Sequence, residues 1–374
     1  MRRIKGFIYS LPNWPNFDWD FERLLPLIGE VRNLQGKLTG KMEALGFKLQ
    51  NEAYLETLSL DILKSSEIEG EYLNLDQVRS SIATRLGMDI SGLIPSDRYV
   101  DGVVDMMLDA TRNYDDELTD ERLFGWHSSL FPGGRSGMFK ITVGNYREES
   151  AGPMHVVSGA MGKEKVHFQA PSSDVLGSEM AVFLNWFNKE NNNTDPVLKA
   201  GVAHLWFVTI HPFDDGNGRI ARALTDMFLT KSEKTEQRFY SMSSQIRKER
   251  KEYYRLLEKT QKGSLNITDW LVWFCECLKK AILESDVIVN KVLFKHTFWN
   301  EHASTLLNKR QVKILNLLLD GFTGKLTSSK WAKINKCSSD TALRDIQDLI
   351  KKDILTKEAA GGRSTNYELK FPTR

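Results

Sequence analysis

The chain has 374 residues and is 41% hydrophobic, which is enough for two or three domains with apolar cores. Its formal net charge is +2, and no run approaches the ~18 apolar residues that a membrane span needs. The basic N-terminus has no continuous apolar region, so we expect no secretory signal there. Three scattered cysteines without metal-ligand spacing indicate a reducing compartment, and we expect a cytoplasmic protein with no membrane attachment.

Residues 1–115 show several helical patterns and no chemistry of their own. The clearest pattern predicts a helix over residues 53–69, followed by Gly70 as a typical C-terminal stop. The apolar face of this helix consists of Leu55, Leu58, Ile62 and Leu63.

Residues 154–171 predict a β-hairpin, with the strand-prone runs HVVS and KVHF around a glycine-containing turn at residues 159–162. The open edge of a hairpin aligns an extended peptide by main-chain hydrogen bonds, with little dependence on the peptide's sequence. An ordinary surface hairpin is the alternative interpretation.

Residues 197–231 predict two helices joined by a loop that carries several chemically active side chains. An apolar-rich helix over residues 197–210 ends at His-Pro, and a second helix covers residues 219–231. Residues 211–222 cover the loop and the start of the second helix, and their sequence is His-Pro-Phe-Asp-Asp-Gly-Asn-Gly-Arg-Ile-Ala-Arg.

This loop has the properties of a phosphate site. Gly216, Asn217 and Gly218 favour turn conformations that direct backbone N–H groups inward, next to the positive end of the second helix. Arg219 and Arg222 are three residues apart on one helix face, so both guanidinium groups can reach a polyphosphate.

Two further residues add chemistry to the phosphate site. Asp215, just before the glycine-rich turn, suits a divalent cation that bridges phosphate oxygens. His211 titrates near neutrality and is a candidate general base for a hydroxyl group. A simple turn between helices with a structural histidine is the alternative, and the P-loop ending Gly-Lys-Ser/Thr is absent from this loop.

The loop resembles the signature of Fic-domain proteins, His-x-Phe-x-Asp/Glu-Gly-Asn-Gly-Arg-x-x-Arg, at every specified position. The resemblance runs from about residue 118 to about residue 282 and includes Gly144-Asn145-Tyr146-Arg147, similar to the family's Gly-x-x-Arg element. It implies a mainly α fold, with a Fic-type helical core and a β-hairpin flap. Fic enzymes typically transfer AMP from ATP to a hydroxyl side chain of a target protein.

The resemblance assigns a role to each loop residue. It implies that His211 deprotonates the target hydroxyl and that Asp215 binds Mg²⁺, whereas Asp214 is a variable position and Phe213 packs inward. The ATP phosphates are expected on the remaining residues: the α-phosphate on Asn217 and the amides of Gly216 and Gly218, the β-phosphate on Arg219 and the γ-phosphate on Arg222. Family members that phosphorylate their targets have Lys at the position of Gly218 and no second arginine, so this chain has the AMP-transfer pattern.

Two flanking elements also resemble parts of Fic proteins. The predicted hairpin resembles the flap that aligns the target and touches the nucleotide, with Val166, His167 and Phe168 as candidates. Tyr254, in Tyr253-Tyr254-x-x-Leu257, resembles a tyrosine near the nucleoside. The alternative is that both tyrosines pack between helices.

The segment Ser65-Ser66-Glu67-Ile68-Glu69-Gly70 resembles the Fic inhibitory motif Ser/Thr-x-x-x-Glu-Gly/Asn, with Ser65, Glu69 and Gly70 at the specified places. The resemblance implies that Glu69 pairs with Arg222 and occupies the space of the γ-phosphate, because a carboxylate–guanidinium pair is strong and geometrically specific. A charged helix end is the alternative. In some relatives the equivalent glutamate also supports removal of AMP.

The C-terminal region has a separate character, with 14 Lys and Arg against 7 Asp and Glu over residues 305–374. Helices over residues 309–319, 328–335 and 338–352, then a hairpin over residues 354–369, resemble a winged helix-turn-helix with Arg363 in the wing. A protein-interaction or dimerisation module is the alternative, since the candidate recognition helix carries Asp340, Asp345 and Asp348.

The sequence therefore predicts an N-terminal helical region (residues 1–115, with the motif at 65–70), a Fic catalytic domain (116–290) and a winged-helix-like domain (305–374). The expected activity is protein adenylylation with ATP and Mg²⁺, restrained by Glu69, on an unknown target protein or on the chain itself. The alternative is a nucleotide-sensing transcriptional regulator that binds DNA through residues 305–374. A homodimer is left open.

Overall fold

The computed structural model describes residues 6–88, 92–148, 153–158, 165–189, 194–320, 322, 324–358 and 365–370. The chain divides into two compact units, Met1–Ile288 and Val289–Arg374, and the division falls within a long helix. The described part is predominantly helical, with only short strands, as predicted. None of the described helices is both long and apolar enough to cross a membrane.

The described elements follow one another in a simple order. The helices that precede the first strands are α1 (Phe21–Glu43), α2 (Phe47–Ile68), α3 (Leu75–Arg85), α4 (Arg98–Arg112) and α5 (Asp120–Leu130). Two hairpins follow, β1 (Arg135–Ser136) with β2 (Phe139–Lys140) and β3 (His155–Ser158) with β4 (Lys165–Gln169). The next helices are α6 (Leu176–Asn188), α7 (Pro196–Ile210), α8 (Asn217–Glu233), α9 (Met242–Lys248), α10 (Arg250–Gln261) and α11 (Thr268–Glu301).

Helix α7 lies at the centre of the first unit. All its residues from Val197 to Ile210 are buried, as expected for a helix that is largely apolar around its whole circumference. Asp195 caps its N-terminus and Pro196 occupies the first turn, where the missing N–H costs no hydrogen bond. Helix α8 packs along α7, and the N-terminal helices α2 and α4 also pack against α8. The N-terminal region and the predicted catalytic region thus share one unit, and a boundary at residue 115 stays a prediction.

The three helices predicted in this unit are present with adjusted ends. Helix α7 confirms the first, α8 begins two residues before the predicted start, and α2 begins at Phe47 rather than Ala53. The earlier start of α8 follows from Gly216, whose φ of 83° turns the chain directly into the helix.

The predicted hairpin is also present. Strands β3 and β4 pair antiparallel, with His155 opposite Gln169 and an irregularity between Val156 and Val157. The predicted turn at residues 159–162 lies outside the described residues.

The second unit contains α12 (Lys309–Leu319), α13 (Ser328–Asn335), α14 (Ser339–Lys351) and the antiparallel pair β5 (Leu355–Lys357) and β6 (Tyr367–Leu369). These elements match the predicted order, and Ser338 and Lys352 are the caps of α14. The fully buried Trp331 lies in a core with apolar residues of α12 and α14. Gly361, Gly362 and Arg363 lie outside the described residues.

Close packing of α4 on α5 generates the first prediction. A Cβ atom at Gly102 would overlap the carbonyl oxygen of Ser129, so Gly102→Ala should lower the free energy of unfolding by about 2 kcal/mol. The measurement is denaturant unfolding of the full chain. Gly125→Ala on α5 is the matched control, because its Cβ would meet open space and alanine favours helix. Equal unfolding midpoints for Gly102→Ala and the wild type would contradict this packing.

Candidate active site

The loop between α7 and α8 is a tight turn held by its own side chains. His211 ends α7 in the left-handed conformation, with φ 54°. The side-chain amide of Asn217 donates to the carbonyl oxygen of Phe213 at 2.8 Å and accepts from the Phe213 N–H at 3.0 Å. The Asn217 side chain, expected on a phosphate, therefore holds the loop together in this structure.

The buried His127 of α5 packs against this loop. Its ring stacks on Phe213 with centroids 4.3 Å apart, and its Nδ1 accepts the N–H of Gly144 at 3.2 Å. Nε2 therefore carries the proton and donates to the carbonyl oxygen of Asp215 at 3.2 Å. Burial lowers the pKa of His127 to about 4, so the ring stays neutral at physiological pH.

His211 is held at its backbone and free to react at its ring. Arg147 donates through Nε to the His211 carbonyl oxygen at 2.8 Å, which places the Gly-x-x-Arg element behind the loop. The ring nitrogen Nδ1 donates to the carbonyl oxygen of Val208 at 3.3 Å, so Nε2 is the unprotonated nitrogen. Burial lowers the pKa of His211 to about 4, below the near-neutral value expected from the sequence, so the imidazole is a neutral proton acceptor near pH 7.

Arg222 is almost fully buried and is bound by the end of α2. Its Nε donates to Ser65 Oγ at 2.8 Å, and its Nη2 lies 2.9 Å from the Ser65 carbonyl oxygen and 2.8 Å from Glu69 Oε1. A Cβ atom at Gly218 would overlap Glu69 Oε1, so the carboxylate lies directly against the glycine-rich turn. The structure thus brings Ser65, Glu69, Gly218 and Arg222 together.

Arg219 has an equivalent arrangement with different partners. Its Nη1 lies 2.7 Å from Glu71 Oε2 and 2.5 Å from the Tyr99 hydroxyl, and only 1% of its side chain is exposed. Burial raises the pKa of Glu71, while the positive charge of Arg219 opposes that rise.

A Schellman turn fixes both glutamates. Gly70 has φ 88°, its N–H donates to the Glu67 carbonyl oxygen, and the N–H of Glu71 donates to the Ser66 carbonyl oxygen. Glycine accepts this left-handed conformation without strain. Gly70 therefore ends α2 and sets the direction of the side chains on either side of it.

The two tyrosines of α10 have separate roles. Tyr254 is partly exposed, and its hydroxyl donates to Glu69 Oε2 at 3.3 Å. Tyr253 is buried and donates to Nε2 of His204, whose Nδ1 donates to Thr225. The packing alternative therefore describes Tyr253, and the structure places the Tyr254 hydroxyl against Glu69.

Asp215 and Asp214 are directed to different neighbours. The Asp215 carboxylate accepts from the Ser136 hydroxyl at the β1–β2 hairpin and remains partly exposed. Asp214 accepts from the N–H of Thr142 at 2.8 Å. No group of three or more His, Cys, Asp or Glu side chains that could bind a metal occurs among the described residues, so Asp215 would need ligands from another molecule.

The flap candidates diverge in their placement. Val166 is exposed, whereas His167 contacts Glu258 of α10 at 2.7 Å. Phe168 is buried, with its ring 5.0 Å from Phe7 and 6.0 Å from Tyr9. Its ring packs against the N-terminal segment, and the assignment of Phe168 to the nucleotide stays a prediction.

Sequence reasoning missed several residues around the loop. Glu71 stands two positions after Glu69, and that proximity was the one available signal. Tyr99, His127 and Ser136 gave no signal, because their importance arises from contacts with residues far away in sequence.

The ring contacts predict different tautomers for two neutral histidines. His127 should be protonated at Nε2 and His211 at Nδ1, and both should stay neutral as the pH falls to about 5, since each pKa is about 4. The measurement is ¹⁵N NMR of histidine-labelled protein, with His127→Asn and His211→Ala to assign the signals. Imidazolium signals from either residue at pH 6 would contradict this assignment.

Comparison with known proteins identifies the domain that contains this loop. Residues 117–229 match the Fic/DOC family, and residues 7–88 match a domain of unknown function (DUF4172). A protein adenylyltransferase Fic of Drosophila grimshawi is 26% identical over 271 residues, which are 70% of this chain and 48% of that relative. Protein adenylyltransferase fic-1 of Caenorhabditis elegans is 30% identical over 178 residues, which are 47% of this chain and 32% of that relative. The chain thus spans half the length of these relatives or less.

Solved structures share the fold. A Fic family protein from Desulfovibrio desulfuricans has a TM-score of 0.52 at 20% identity and covers 94% of this chain and 97% of its own. A Fic domain containing signaling protein from Bacteroides thetaiotaomicron has a TM-score of 0.50 at 19% identity, over 70% of this chain and 97% of its own. The predicted Fic-type helical fold is confirmed, and the chain carries a domain of the Fic/DOC family.

Proposed function

We propose that this protein is an adenylyltransferase that moves AMP from ATP to a Ser, Thr or Tyr hydroxyl of a target protein and is restrained by Glu69. The observation that carries the proposal is the position of the Glu69 carboxylate, which lies on both Arg222 and the glycine-rich turn beside His211. Relatives named protein adenylyltransferases support the same reaction.

The two arginines support binding of a polyphosphate. Exposed fractions of the Arg219 and Arg222 side chains are 1% and 2%, and a buried cation requires an anionic partner. Among the described residues, Arg219 Nε and Arg222 Nη1 have no hydrogen-bond acceptor. Phosphate oxygens would satisfy these donors and replace the two carboxylates.

The reaction follows from the tautomer of His211. In this proposal the target hydroxyl loses its proton to His211 Nε2, and its oxygen forms a bond to the α-phosphorus of ATP. The bond from that phosphorus to the bridging oxygen breaks, and pyrophosphate leaves with the bonding electrons. Amides of Gly216 and Gly218 at the start of α8 would stabilise the charge that develops on the α-phosphate.

Mg²⁺ fits the donor set at Asp215. A single partly exposed carboxylate is too little for a resident metal, but Mg²⁺ commonly combines one or two carboxylates with substrate phosphates and water. Bound there with ATP, it would offset phosphate charge and polarise the phosphoryl oxygens. Asp215 would then exchange its contact with Ser136 for the ion.

Binding of the target protein is proposed at the β3–β4 hairpin. Among the residues that the structure describes, its strands pair only with each other, which leaves backbone groups at an outer edge for an extended segment. The free thiols of the three cysteines fit a reducing cytoplasm. Self-modification, removal of AMP and a homodimer stay predictions.

Transfer of α-labelled ATP in cell lysate with Mg²⁺ tests the proposal. Wild type should label weakly and Glu69→Gly more strongly by about tenfold or more, because the competing carboxylate is gone. Glu69→Gly/His211→Ala should not label, although ATP still binds. Absence of label from Glu69→Gly, in a protein shown to bind ATP, would sink the adenylylation proposal.

A second candidate function is nucleic-acid binding by the second unit. Of the three acidic residues of α14, Asp345 pairs with Arg310 and Asp348 with Lys352, whereas Asp340 in the first turn is exposed. Exposed cations remain on the same helix, at Arg344, and at the C-terminal end of the preceding helix, at Lys333 and its cap residue Lys336. This arrangement favours a winged-helix-like DNA-binding surface.

Duplex binding by the full chain checks this second candidate. Affinity for a labelled DNA duplex should fall steeply with salt and drop about tenfold or more in Lys333→Ala/Lys336→Ala/Arg344→Ala, which removes phosphate contacts. Lys325→Ala is the matched control, since Lys325 already pairs with Glu358. Equal affinity of the triple variant and wild type would reject this surface.

A further inference from the structure

We propose that Glu71 is a specificity-determining residue that competes for Arg219, so that Glu69 and Glu71 together set how long a phosphate chain the site accepts. The inference rests on the proposed function, because the displacing anion is taken to be the phosphate chain of a nucleotide. Glu69 belongs to the recognised inhibitory motif, whereas Glu71 lies beyond its last residue, Gly70.

The contacts of the two glutamates are parallel. Glu69 Oε1 lies 2.8 Å from Arg222 Nη2, and Glu71 Oε2 lies 2.7 Å from Arg219 Nη1. Both arginines are buried, so each pair is shielded from solvent on its basic side. A ligand that takes Arg219 Nη1 or Arg222 Nη2 must displace the carboxylate that holds that nitrogen.

The Schellman turn at Gly70 places both glutamates within one short segment of the chain. Residues 69 and 71 are on either side of Gly70, and the backbone hydrogen bonds to Ser66 and Glu67 fix both. Arg219 and Arg222 are three residues apart on α8 and present one face. One turn thus places two carboxylates in contact with two arginines.

Other carboxylates lie near Glu71. Their negative charge favours displacement of Glu71 by a phosphate chain that carries a bound cation. Burial raises the pKa of Glu71, and the charges of Asp215 and Glu69 add to that rise against the opposing charge of Arg219. The Glu71 side chain is 38% exposed, so it can swing into solvent when a phosphate takes Arg219. Glu71 is therefore a weaker competitor than Glu69, whose carboxylate is also bound by Tyr254.

The consequence is a dependence on the number of phosphates. AMP does not reach Arg219 in the proposed binding mode, ADP needs Arg219, and ATP needs both arginines. Removing Glu71 should improve binding of ADP and ATP but not of AMP, whereas general loosening of the site would improve all three.

Calorimetric binding of AMP, ADP and ATP with Mg²⁺ to the full chain tests the inference. In the Glu69→Gly background, Glu71→Gln should tighten ADP and ATP by roughly three- to tenfold and change AMP less than twofold. Glu71→Ala should do at least as much, because glutamine still offers Arg219 a neutral acceptor. Thermal unfolding of each variant verifies that it is folded.

Two controls separate the contact from a change in charge. Glu67→Gln removes the same charge from the same segment, but Glu67 pairs with Lys64 at 2.6 Å, so ADP affinity should not change. In an Arg219→Ala background the gain from Glu71→Gln should vanish, as coupling between contacting residues requires.

The outcomes distinguish this inference from the proposed function. ADP binding that depends on Arg219 but not on Glu71, or an equal gain for all three nucleotides, would overturn the role of Glu71 alone. Failure of every variant to bind any nucleotide would overturn the proposed function together with this inference.

Discussion

Two guanidinium groups buried at the start of α8 impose the constraint around which this site is organised. A cation without water needs an anion, and the positions of Arg219 and Arg222 leave a limited choice: carboxylates of the same chain or an anionic ligand. In this structure Glu69 and Glu71 supply the charge. In the proposed function these carboxylates restrain the activity, and they also balance the charge of the buried arginines when no nucleotide is bound.

Other contacts within the first unit hold the loop between α7 and α8 in one conformation. That conformation would persist when an anionic ligand replaces the carboxylates. Helix α7 is buried on all sides, and its left-handed end at His211 is held by Arg147. Asn217 closes the turn on Phe213, and His127 supports the Phe213 ring from the other side. A loop fixed by these contacts can accept a new anion without rebuilding, which is what preorganised catalysis requires.

Local patterns predicted much of this arrangement. The α7–loop–α8 segment, the end of α2 and the elements of the second unit follow from apolar periodicity, glycine stops and short spacing, all of which act over a few residues. The packing of Phe168 against Phe7 and Tyr9 could not be predicted, because a strand pattern does not reveal which face its neighbours cover. The contacts of Glu71 and Tyr99 with Arg219 were not predicted, because they join positions more than a hundred residues apart in the sequence.

The most direct test of the central claim is a crystal structure of Glu69→Gly with Mg²⁺ and a non-hydrolysable ATP analogue. The account predicts the β-phosphate on Arg219, the γ-phosphate on Arg222 and the α-phosphorus facing His211 Nε2, with Glu71 displaced from Arg219. A phosphate chain bound away from these arginines, or an α-phosphorus out of reach of His211, would contradict it.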